Sequence, residues 1–485
     1  MTGTSTSVVI VGAGFGGIAA AIELRNNGVD DVTIVDAAPG IGGTWLHNTY
    51  PGAACDVPSH MYSFSFAQRR DWTRLCSPQS EILEYLRGVA REYGVADLVV
   101  PDTRITSCVR ESPTGTWTLT AEDGRTYTAD VVVIATGQLN RPVVPEIPGR
   151  ASFAGHEFHS ARWDHDHDLH GRRVAVVGTG ASAVQFVPEI APRVQHLALF
   201  QRSGNWFMPR RNRCYPTAVK AAIRFVPGLQ RFRRRFLTEY LESLTLMIRH
   251  PGTVGRVGRL LSSTFMRWQL RDPEVRRKAW PDYTFGCKRI LFSSWYLPAL
   301  QRENVELTTE KITEIVPEGV RTADGRTHEV DTIIWGTGFA ATDFMFPMDV
   351  TGPGGRSLAD EWSEGPHAHL GMTVPGFPSL FVLYGPNTNT SGGSIILYLE
   401  AQSRYVRMAL QEMARRDAAG IEVRKDVEAA SDRELQDRFA GTAWTHCDSW
   451  YRDENGRIVT NWPGYMREYL ASTTDVDTGE YVFHR

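Results

Sequence analysis

The 485-residue chain predicts an α/β fold with two parallel-sheet domains of the Rossmann type and a helical insertion. Two strand–turn–helix units with glycine-rich turns lie near residues 8–36 and 173–202, and a helical pattern covers about 209–282. A chain of this length exceeds what one hydrophobic core usually organises. We therefore predict three segments: 1–150 as the first part of one dinucleotide-binding domain, 151–340 as a second such domain with the insertion, and 341–485 as a return to the first domain with a C-terminal tail.

Composition points to neither a nucleic acid partner nor a membrane span. The net charge is −3, so nothing global favours a polyanion, and no apolar run approaches the roughly 18 residues that a span requires. The six cysteines are scattered without a Cys-x-x-Cys pair, which favours a reducing cytoplasm and argues against a redox cysteine pair. The stretch from His165 to His170 lacks a convincing ligand set, so we expect no metal site. Oligomeric state stays open.

The first glycine-rich unit has the spacing of a dinucleotide site. An apolar strand at 8–11 leads into the turn, a helical pattern follows, and Asp36 ends the next strand, nineteen residues after the last glycine. The glycines allow a pyrophosphate to approach the helix N-terminus, where free N–H groups favour negative charge. An acid at this distance binds a ribose hydroxyl. The predicted contacts are Gly12, Gly14, Phe15, Gly17 and Asp36.

The second unit differs from the first in a way that predicts the nucleotide. Ala183 replaces the third glycine and still permits close helix–strand packing, and Arg202 stands nineteen residues later, where the first unit has an acid. An arginine binds a 2′-phosphate through charge-assisted hydrogen bonds, whereas an acid repels it. We therefore expect NADPH rather than NADH, bound by Gly178, Thr179, Gly180, Ser182, Ala183, Arg202 and Ser203.

The segment between the two units carries a specific string, Phe153-x-Gly155-x-x-x-His159-x-x-x-Trp163-Asp164. Taken alone, His159 is more simply a linker histidine without a role. The whole string in this position resembles the fingerprint of the Baeyer-Villiger monooxygenases. The related flavin-containing monooxygenases carry a similar string that ends in Tyr or Phe. A segment that joins two rigid domains can couple their motion, and we assign the string to that linker.

A second signature of the same family lies between Gly42 and Asp56, with Gly43-Thr44-Trp45 and Tyr50-Pro51-Gly52 in their expected places. The resemblance implies that this loop lies along FAD. It makes Thr44, Trp45, Asp56 and Tyr62 cofactor contacts. The alternative for Asp56 is a loop aspartate that caps backbone N–H groups. The resemblance also places an arginine where this chain has Ala54, so one polar contact is expected to be missing.

The pair Lys288-Arg289 falls where the family carries its active-site arginine. The resemblance assigns the 2′-phosphate of NADPH to Lys288 and catalysis to Arg289, with Asp56 as its catalytic partner. An anionic flavin peroxide in a dry site requires a permanent cation. The alternative is a surface arginine in a salt bridge. A strand at 380–384 then leads through Asn387, an expected cofactor contact, to a helix whose N-terminus faces the flavin.

Arginine and phenylalanine alternate through the helical insertion between about 209 and 282. We expect a solvated cationic face, and a peripheral membrane contact is a second interpretation. In the resembling family such an insertion helps to form the substrate pocket. The aromatic tail from Trp444 to Tyr469 is expected to cover a pocket or an interface.

The resemblance implies an FAD monooxygenase that uses NADPH and O2 to insert oxygen beside a ketone carbonyl through a C4a-peroxyflavin, giving an ester or lactone. Two other functions stay open. One is an oxygenase that makes sulfoxides or N-oxides; the other is a redox-sensing flavoprotein that oxygenates no substrate. The identity of the ketone lies beyond the sequence.

Overall fold

The computed structural model describes residues 6–210, 212–390 and 392–485. The strands are β1 (Val8–Val11), β2 (Val32–Val35), β3 (Val99–Val100), β4 (Ile105–Val109), β5 (Trp117–Ala121), β6 (Thr126–Ala129), β7 (Val131–Ile134), β8 (His156–His159), β9 (Arg173–Val177), β10 (His196–Phe200), β11 (Phe207–Met208), β12 (Leu291–Phe292), β13 (Val305–Thr308), β14 (Ile312–Val316), β15 (Gly319–Thr322), β16 (Thr327–Glu329), β17 (Thr332–Trp335), β18 (Asp349–Gly352), β19 (Arg356–Ser357), β20 (Leu380–Val382), β21 (Gly420–Val423) and β22 (Tyr481–His484).

The α-helices are α1 (Phe15–Arg25), α2 (Thr44–His47), α3 (Gln79–Glu92), α4 (Ala181–Ile190), α5 (Thr217–Phe225), α6 (Leu229–Arg249), α7 (Val254–Gln269), α8 (Pro273–Ala279), α9 (Tyr296–Ala299), α10 (Leu358–Glu361), α11 (Ile395–Arg415), α12 (Lys425–Asp437) and α13 (Met466–Ser472). None of them, over the residues just given, is long and apolar enough to cross a membrane.

The first and last segments of the chain share two sheets. One is fully parallel with the order β20-β7-β1-β2-β3, and the other is mixed with the order β19-β18-β4-β5-β6. In each sheet, strands after residue 341 pair with strands before residue 150. We infer from this exchange that residues 1–150 and 341–485 form one domain and that 151–340 form the other.

Side-chain alternation along β1 explains how the layers stack. Val8 and Ile10 belong to the core with α1 and α11, whereas Val9 and Val11 belong to the core under the mixed sheet. Successive side chains of a strand point to opposite faces, so a parallel strand covered on both sides is apolar throughout. The first domain therefore has helices on one face of its parallel sheet and a second sheet on the other.

The middle segment repeats this plan. Its parallel sheet has the order β13-β10-β9-β17-β8. Val174 and Val176 of β9 pack towards α4 and α9, and Ala175 packs towards the antiparallel sheet β14-β15-β16. The carboxyl ends of β1 and β9 therefore lead into α1 and α4, the helices of the two predicted dinucleotide units.

The fingerprint string is more ordered than a linker. Its centre forms β8, the edge strand of the second sheet, which pairs in parallel with β17. A Cβ on Gly155 would lie 2.5 Å from the Asp331 carbonyl oxygen, so only glycine fits there. Trp163 packs on Phe158 and Phe186 with ring centroids 5.1 and 5.3 Å away. Part of the string thus belongs to the second domain itself.

The end of the string has two polar features. His159 is buried, its Nδ1 accepts a hydrogen bond from the Ala161 N–H, and burial lowers its pKa to about 4. Asp164 contacts His156 at 2.8 Å. No cluster of three or more metal-ligating side chains occurs in the ranges that the structure covers, the histidines from 165 to 170 included.

Candidate active site

Both dinucleotide helices begin with unpaired N–H groups. Gly14 precedes α1 and Gly180 precedes α4, and neither residue provides a side-chain cap. The first N–H groups of a helix have no partner within the helix and attract phosphate. A Cβ on Gly17 would lie 1.8 Å from the Gly12 carbonyl oxygen, so α1 approaches the turn as closely as a pyrophosphate site requires. Ala183 takes the corresponding position in α4.

Asp36 lies at the carboxyl end of β2 beside the first glycine turn. Its carboxylate accepts hydrogen bonds from the N–H groups of Ala13, at 2.5 Å, and of Ala38, at 2.7 Å. The residue is only half-buried, and a carboxylate has about four lone-pair positions. It therefore keeps capacity to accept from a ribose hydroxyl.

The loop with the second signature forms an aromatic cluster against α1. Thr44 begins α2, and the Trp45 indole donates a hydrogen bond to the Tyr62 hydroxyl at 3.0 Å. Phe15 contacts Tyr62 edge to face, with centroids 5.5 Å apart. The four predicted contacts Phe15, Thr44, Trp45 and Tyr62 thus lie in one region, next to the turn that begins at Gly12.

Asp56 and Arg289 form an ion pair across the two domains. The guanidinium Nη2 donates to the carboxylate Oδ2 at 2.6 Å, and the side chains are 46% and 22% exposed for Arg289 and Asp56. The carboxylate raises the pKa of Arg289 above its ordinary value. The arginine is therefore permanently charged and remains accessible to a ligand.

The same pair keeps Asp56 ionised. Burial alone would raise the pKa of Asp56, but the charge and the hydrogen bond of Arg289, followed by the charge of Arg210, outweigh it and lower the pKa below its ordinary value. Arg210 also donates to the Cys55 carbonyl at 2.5 Å. Two cations thus face one carboxylate, and the site carries a net positive charge.

The backbone of Ala54 is bound by a residue of α4. Gln185 of α4 accepts a hydrogen bond from the Ala54 N–H at 3.1 Å and donates to the Ala54 carbonyl at 2.9 Å. The same carboxamide accepts from the Tyr50 hydroxyl at 3.2 Å. The loop that leads to Asp56 is therefore attached directly to the helix of the second dinucleotide site.

Lys288 points away from the ion pair towards the other predicted phosphate contacts. Its ammonium donates to the Ser203 hydroxyl at 3.0 Å and lies 4.7 Å from the centroid of the Tyr283 ring. Burial and the charge of nearby Arg202 lower its pKa. Because Lys288 and Arg202 repel each other, an anion bound between them would be stabilised by both charges. Adjacent residues 288 and 289 thus have different polar partners, Ser203 for Lys288 and Asp56 for Arg289.

Buried tyrosines of the C-terminal part surround the ion pair. Burial raises the pKa of Tyr451 to about 12 against the opposing charge of Arg289, and the Tyr451 hydroxyl faces the Arg289 backbone. The Tyr384 hydroxyl donates to Asn389 at 2.8 Å. Asn387, an expected cofactor contact, uses its amide to bind the carbonyls of Ile458 and Asn461. Tyr451 of the aromatic tail and Tyr384, which precedes the tail, therefore place neutral phenols near the ion pair.

Two of the cysteines that are scattered in the sequence are paired in the structure. A disulfide bond joins Cys287, next to Lys288, to Cys447 in the tail. The two residues are 160 positions apart in sequence, and only the packing of the tail on the second domain brings them together. The bond fixes the covering segment beside the ion pair.

Sequence reasoning missed Arg210, Gln185, Tyr451 and the pairing of Cys287 with Cys447. Each is far in sequence from the group it contacts. The arginine after Trp206-Phe207-Met208-Pro209 had no spacing signal, and Gln185 looked like an ordinary helix residue.

The N-termini of α1 and α4 both have free N–H groups. The strand after α1 is followed by Asp36, and the strand after α4 is followed by Arg202. These features are those of a flavoprotein with two dinucleotide sites. The N-termini of both helices can each bind the pyrophosphate of a dinucleotide, FAD at α1 and NADPH at α4, because no side-chain cap competes for their N–H groups. Comparison with known proteins gives the same class: the family described as pyridine nucleotide-disulphide oxidoreductase matches residues 9–224.

More specific similarities cover the whole chain. A Baeyer-Villiger monooxygenase of Streptomyces coelicolor is 42% identical over 98% of this chain and 92% of its own length. The solved structure of an oxidised steroid monooxygenase bound to NADP is 30% identical, with 99% and 100% of the two chains covered and a TM-score of 0.88. The structure of an OTEMO complex with FAD and NADP is 25% identical, with 99% of each chain covered and a TM-score of 0.89.

The chain belongs to the Baeyer-Villiger monooxygenase family, and it is a flavin monooxygenase that uses FAD and NADPH. The predicted fold class, family and cofactors are confirmed. The sulfoxide- or N-oxide-forming oxygenase and the non-oxygenating flavoprotein are not favoured.

Proposed function

We propose that the enzyme inserts one oxygen atom from O2 beside the carbonyl of a ketone, giving an ester or lactone. The observation that carries this proposal is the Asp56–Arg289 ion pair of 2.6 Å at the junction of the two domains. Bound FAD, once reduced by NADPH, supplies the oxygen chemistry. The contribution of the chain is to hold charge, to orient the reactants and to exclude water.

Arg289 is proposed as the group that stabilises negative charge on the oxygen. Its raised pKa keeps it protonated throughout the physiological range, and its exposed face is available to an anion. A fixed cation in a site with little water stabilises charge far better than one in bulk solvent. Asp56 holds the guanidinium in one orientation, so the charge does not have to reorganise during the reaction.

Water exclusion is assigned to the C-terminal tail. Tyr451 is buried and Tyr384 is partly buried near Arg289, and burial raises the pKa of both phenols, which keeps them neutral. Cys447 fixes the tail to the strand region that carries Lys288 and Arg289. A dry pocket protects a reactive oxygen species from breakdown before the ketone is attacked.

The nucleotide assignment rests on Gly178, Gly180 and Ser182 at the N-terminus of α4, with Lys288, Arg202 and Ser203 around the 2′-phosphate. Arg202→Ala should lower the ratio of kcat/KM for NADPH to that for NADH by about tenfold or more, because it removes a charge-assisted hydrogen bond to a group that NADH lacks. Steady-state oxidation of both nucleotides measures this ratio.

Arg193→Ala is the matched control for Arg202→Ala. Arg193 is also an exposed arginine of the second domain, and it lies 3.9 Å from Asp168 rather than near Lys288. The control should keep the wild-type ratio. If Arg202→Ala also keeps it, Arg202 does not contact the nucleotide.

The test of the overall function is product analysis after incubation of the FAD-loaded protein with NADPH, labelled O2 and a panel of cyclic, aromatic and long-chain ketones. We expect an ester or lactone with one labelled oxygen atom. Thioethers and tertiary amines in the same panel serve as competing substrates. Oxidation of those compounds alone, or NADPH consumption that yields only hydrogen peroxide, would contradict the proposal.

Cytoplasmic location is a further part of the proposal. Four of the six cysteines, Cys55, Cys76, Cys108 and Cys214, are free among the residues that the structure describes, as thiols are in a reducing compartment, whereas Cys287 and Cys447 form a disulfide bond. The proposal rests on the four free thiols.

A further inference from the structure

We infer that the helical insertion docks on the surface of an anionic phospholipid bilayer. The surface concerned, which we name the docking face, is the outer side of α5, α6 and α7. It combines unpartnered apolar side chains with unpaired arginines. The inference is independent of the proposed function.

Exposed apolar residues are concentrated on the docking face. Of the fifteen large hydrophobic side chains found exposed in the described parts of the chain, ten lie between residues 225 and 268. Single exposed hydrophobic residues are normal, but a contiguous group marks an interaction site. The ten are Phe225, Val226, Phe232, Phe236, Tyr240, Val254, Val257, Leu260, Leu261 and Trp268.

The arrangement follows the helix period. On α6, Phe232, Phe236 and Tyr240 recur every four residues and are 69%, 61% and 53% exposed. On α7, Val257, Leu261 and Trp268 form a similar stripe. Residues spaced by three or four lie on one face of a helix. The apolar side chains therefore form continuous stripes rather than scattered points.

The opposite faces of these helices account for their folding. Leu241, Thr245 and Ile248 of α6 are buried, and α7 buries Ser262 and Met266 against the chain near Phe207. α5 contacts α6, and α6 contacts α7. Because the inner faces already fill the core, the outer stripes are not needed to hold the helices in place.

The positive charge of the docking face indicates an anionic partner. Residues 217–269 contain ten Lys and Arg and only two acidic residues, whereas the whole chain carries −3. Within the described residues, none of the exposed arginines of these helices forms a salt bridge; they are Arg224, Arg231, Arg235, Arg256, Arg259 and Arg267.

An anionic bilayer fits both properties at once. Amphipathic helices that lie in a membrane surface place Phe, Trp and Leu at the boundary of the acyl chains and Arg among the headgroups. Each cation near an anionic surface adds to the attraction. On α6, Arg231 precedes Phe232 and Arg235 precedes Phe236 in the sequence. Each aromatic side chain therefore has a cation next to it, as an amphipathic helix at a membrane surface requires.

The alternative partners fit less well. A symmetric dimer would use the docking face of both subunits. The arginines of one subunit would then lie against those of the other, and like charges across an interface are unfavourable. A nucleic acid would satisfy the arginines, but Val257 and Leu261 would gain nothing from its phosphates. The bilayer is the partner that uses the aliphatic residues and the arginines together.

The test is sedimentation of the FAD-loaded protein with vesicles of phosphatidylcholine that contain phosphatidylglycerol, compared with vesicles of phosphatidylcholine alone. We expect binding to the anionic vesicles at low ionic strength, much weaker binding to neutral vesicles, and release of the protein as salt is raised. This comparison needs no variant. Absence of binding to the anionic vesicles at low salt would overturn the inference.

Two pairs of substitutions locate the contact. Phe232→Ser with Phe236→Ser, and separately Arg231→Glu with Arg235→Glu, should each lower vesicle binding by about tenfold or more. Val482→Ser and Arg415→Glu are matched controls, because they change exposed residues on β22 and α11, and both should bind like the wild type. FAD content checks that each variant folds.

Three other outcomes would also overturn the inference. Binding that survives both pairs of substitutions would place the contact elsewhere. A dimer in light scattering that Phe232→Ser with Phe236→Ser dissociates would make the docking face a subunit interface. Tighter binding to duplex DNA than to the anionic vesicles at equal ionic strength would make it a nucleic acid surface.

Discussion

Arg289→Ala is expected to lower the rate of ester formation by about a thousandfold while NADPH still reduces the enzyme. The substitution removes the cation that we assign to the negatively charged oxygen, but it leaves both helix N-termini and Lys288 in place. Losing one donor to a developing oxyanion typically costs about a hundredfold to a thousandfold in rate, and a permanent charge should be at the upper end. Hydrogen peroxide should account for the NADPH that is consumed.

The measurement compares the ester, the peroxide and the NADPH consumed by the same sample. Arg104→Ala is the control, because Arg104 forms a surface ion pair with Glu122 at 3.5 Å and both side chains are largely exposed. Such pairs contribute little, so the control should behave as the wild type. Normal ester formation by Arg289→Ala would remove this residue from catalysis.

Asp56→Asn is expected to lower ester formation by about tenfold to a hundredfold, less than Arg289→Ala does. The asparagine keeps the size of the side chain but loses the charge that holds the guanidinium at 2.6 Å. The cation then remains near the site in several orientations, and poor positioning of this kind reduces the rate without abolishing it. Peroxide release should increase.

A double variant tests whether Asp56 acts through Arg289. If it does, Asp56→Asn combined with Arg289→Ala should form ester no more slowly than Arg289→Ala alone, because residues that act as one unit are not additive. Fully additive losses would show that Asp56 has a separate role, and the assignment of Asp56 as the partner of Arg289 would have to be withdrawn.

Local patterns were sufficient to predict which residues lie beside the two glycine turns. Strand, glycine turn and helix follow one another within each unit, so counting residues placed Asp36 beside the first turn and Arg202 beside the second. Asp36 does contact the turn through the Ala13 N–H, and Arg202 does lie near Lys288. A short chain segment has few ways to arrange such a unit, and this is why its register could be predicted.

The surroundings of the ion pair could not be predicted in this way. Asp56 and Arg289 are 233 residues apart, and the resemblance to a family, rather than any spacing, suggested their association. Nothing suggested Arg210, Gln185 or Tyr451, because each reaches the site from a different element. The cysteines illustrate the same limit: scattered positions in sequence became a bonded pair when the tail packed on the second domain.

The helical insertion shows what composition can and cannot predict. Alternating Arg and Phe indicated an amphipathic segment at about 209–282, and the structure has four helices between Thr217 and Ala279. The pattern did not show which aromatic residues face outward. Phe232 and Phe236 are exposed because Leu241, Thr245 and Ile248 already fill the inner side of α6.

The central claim is that Arg289, held by Asp56, places a permanent positive charge next to the reactive edge of the flavin. The most direct measurement is a crystal structure of the protein with FAD and NADP bound. The account predicts the guanidinium within about 4 Å of that edge or of the nicotinamide beside it, where a charge contact is strong. A guanidinium that faces away from both rings, with Asp56 still bound to it, would contradict the account.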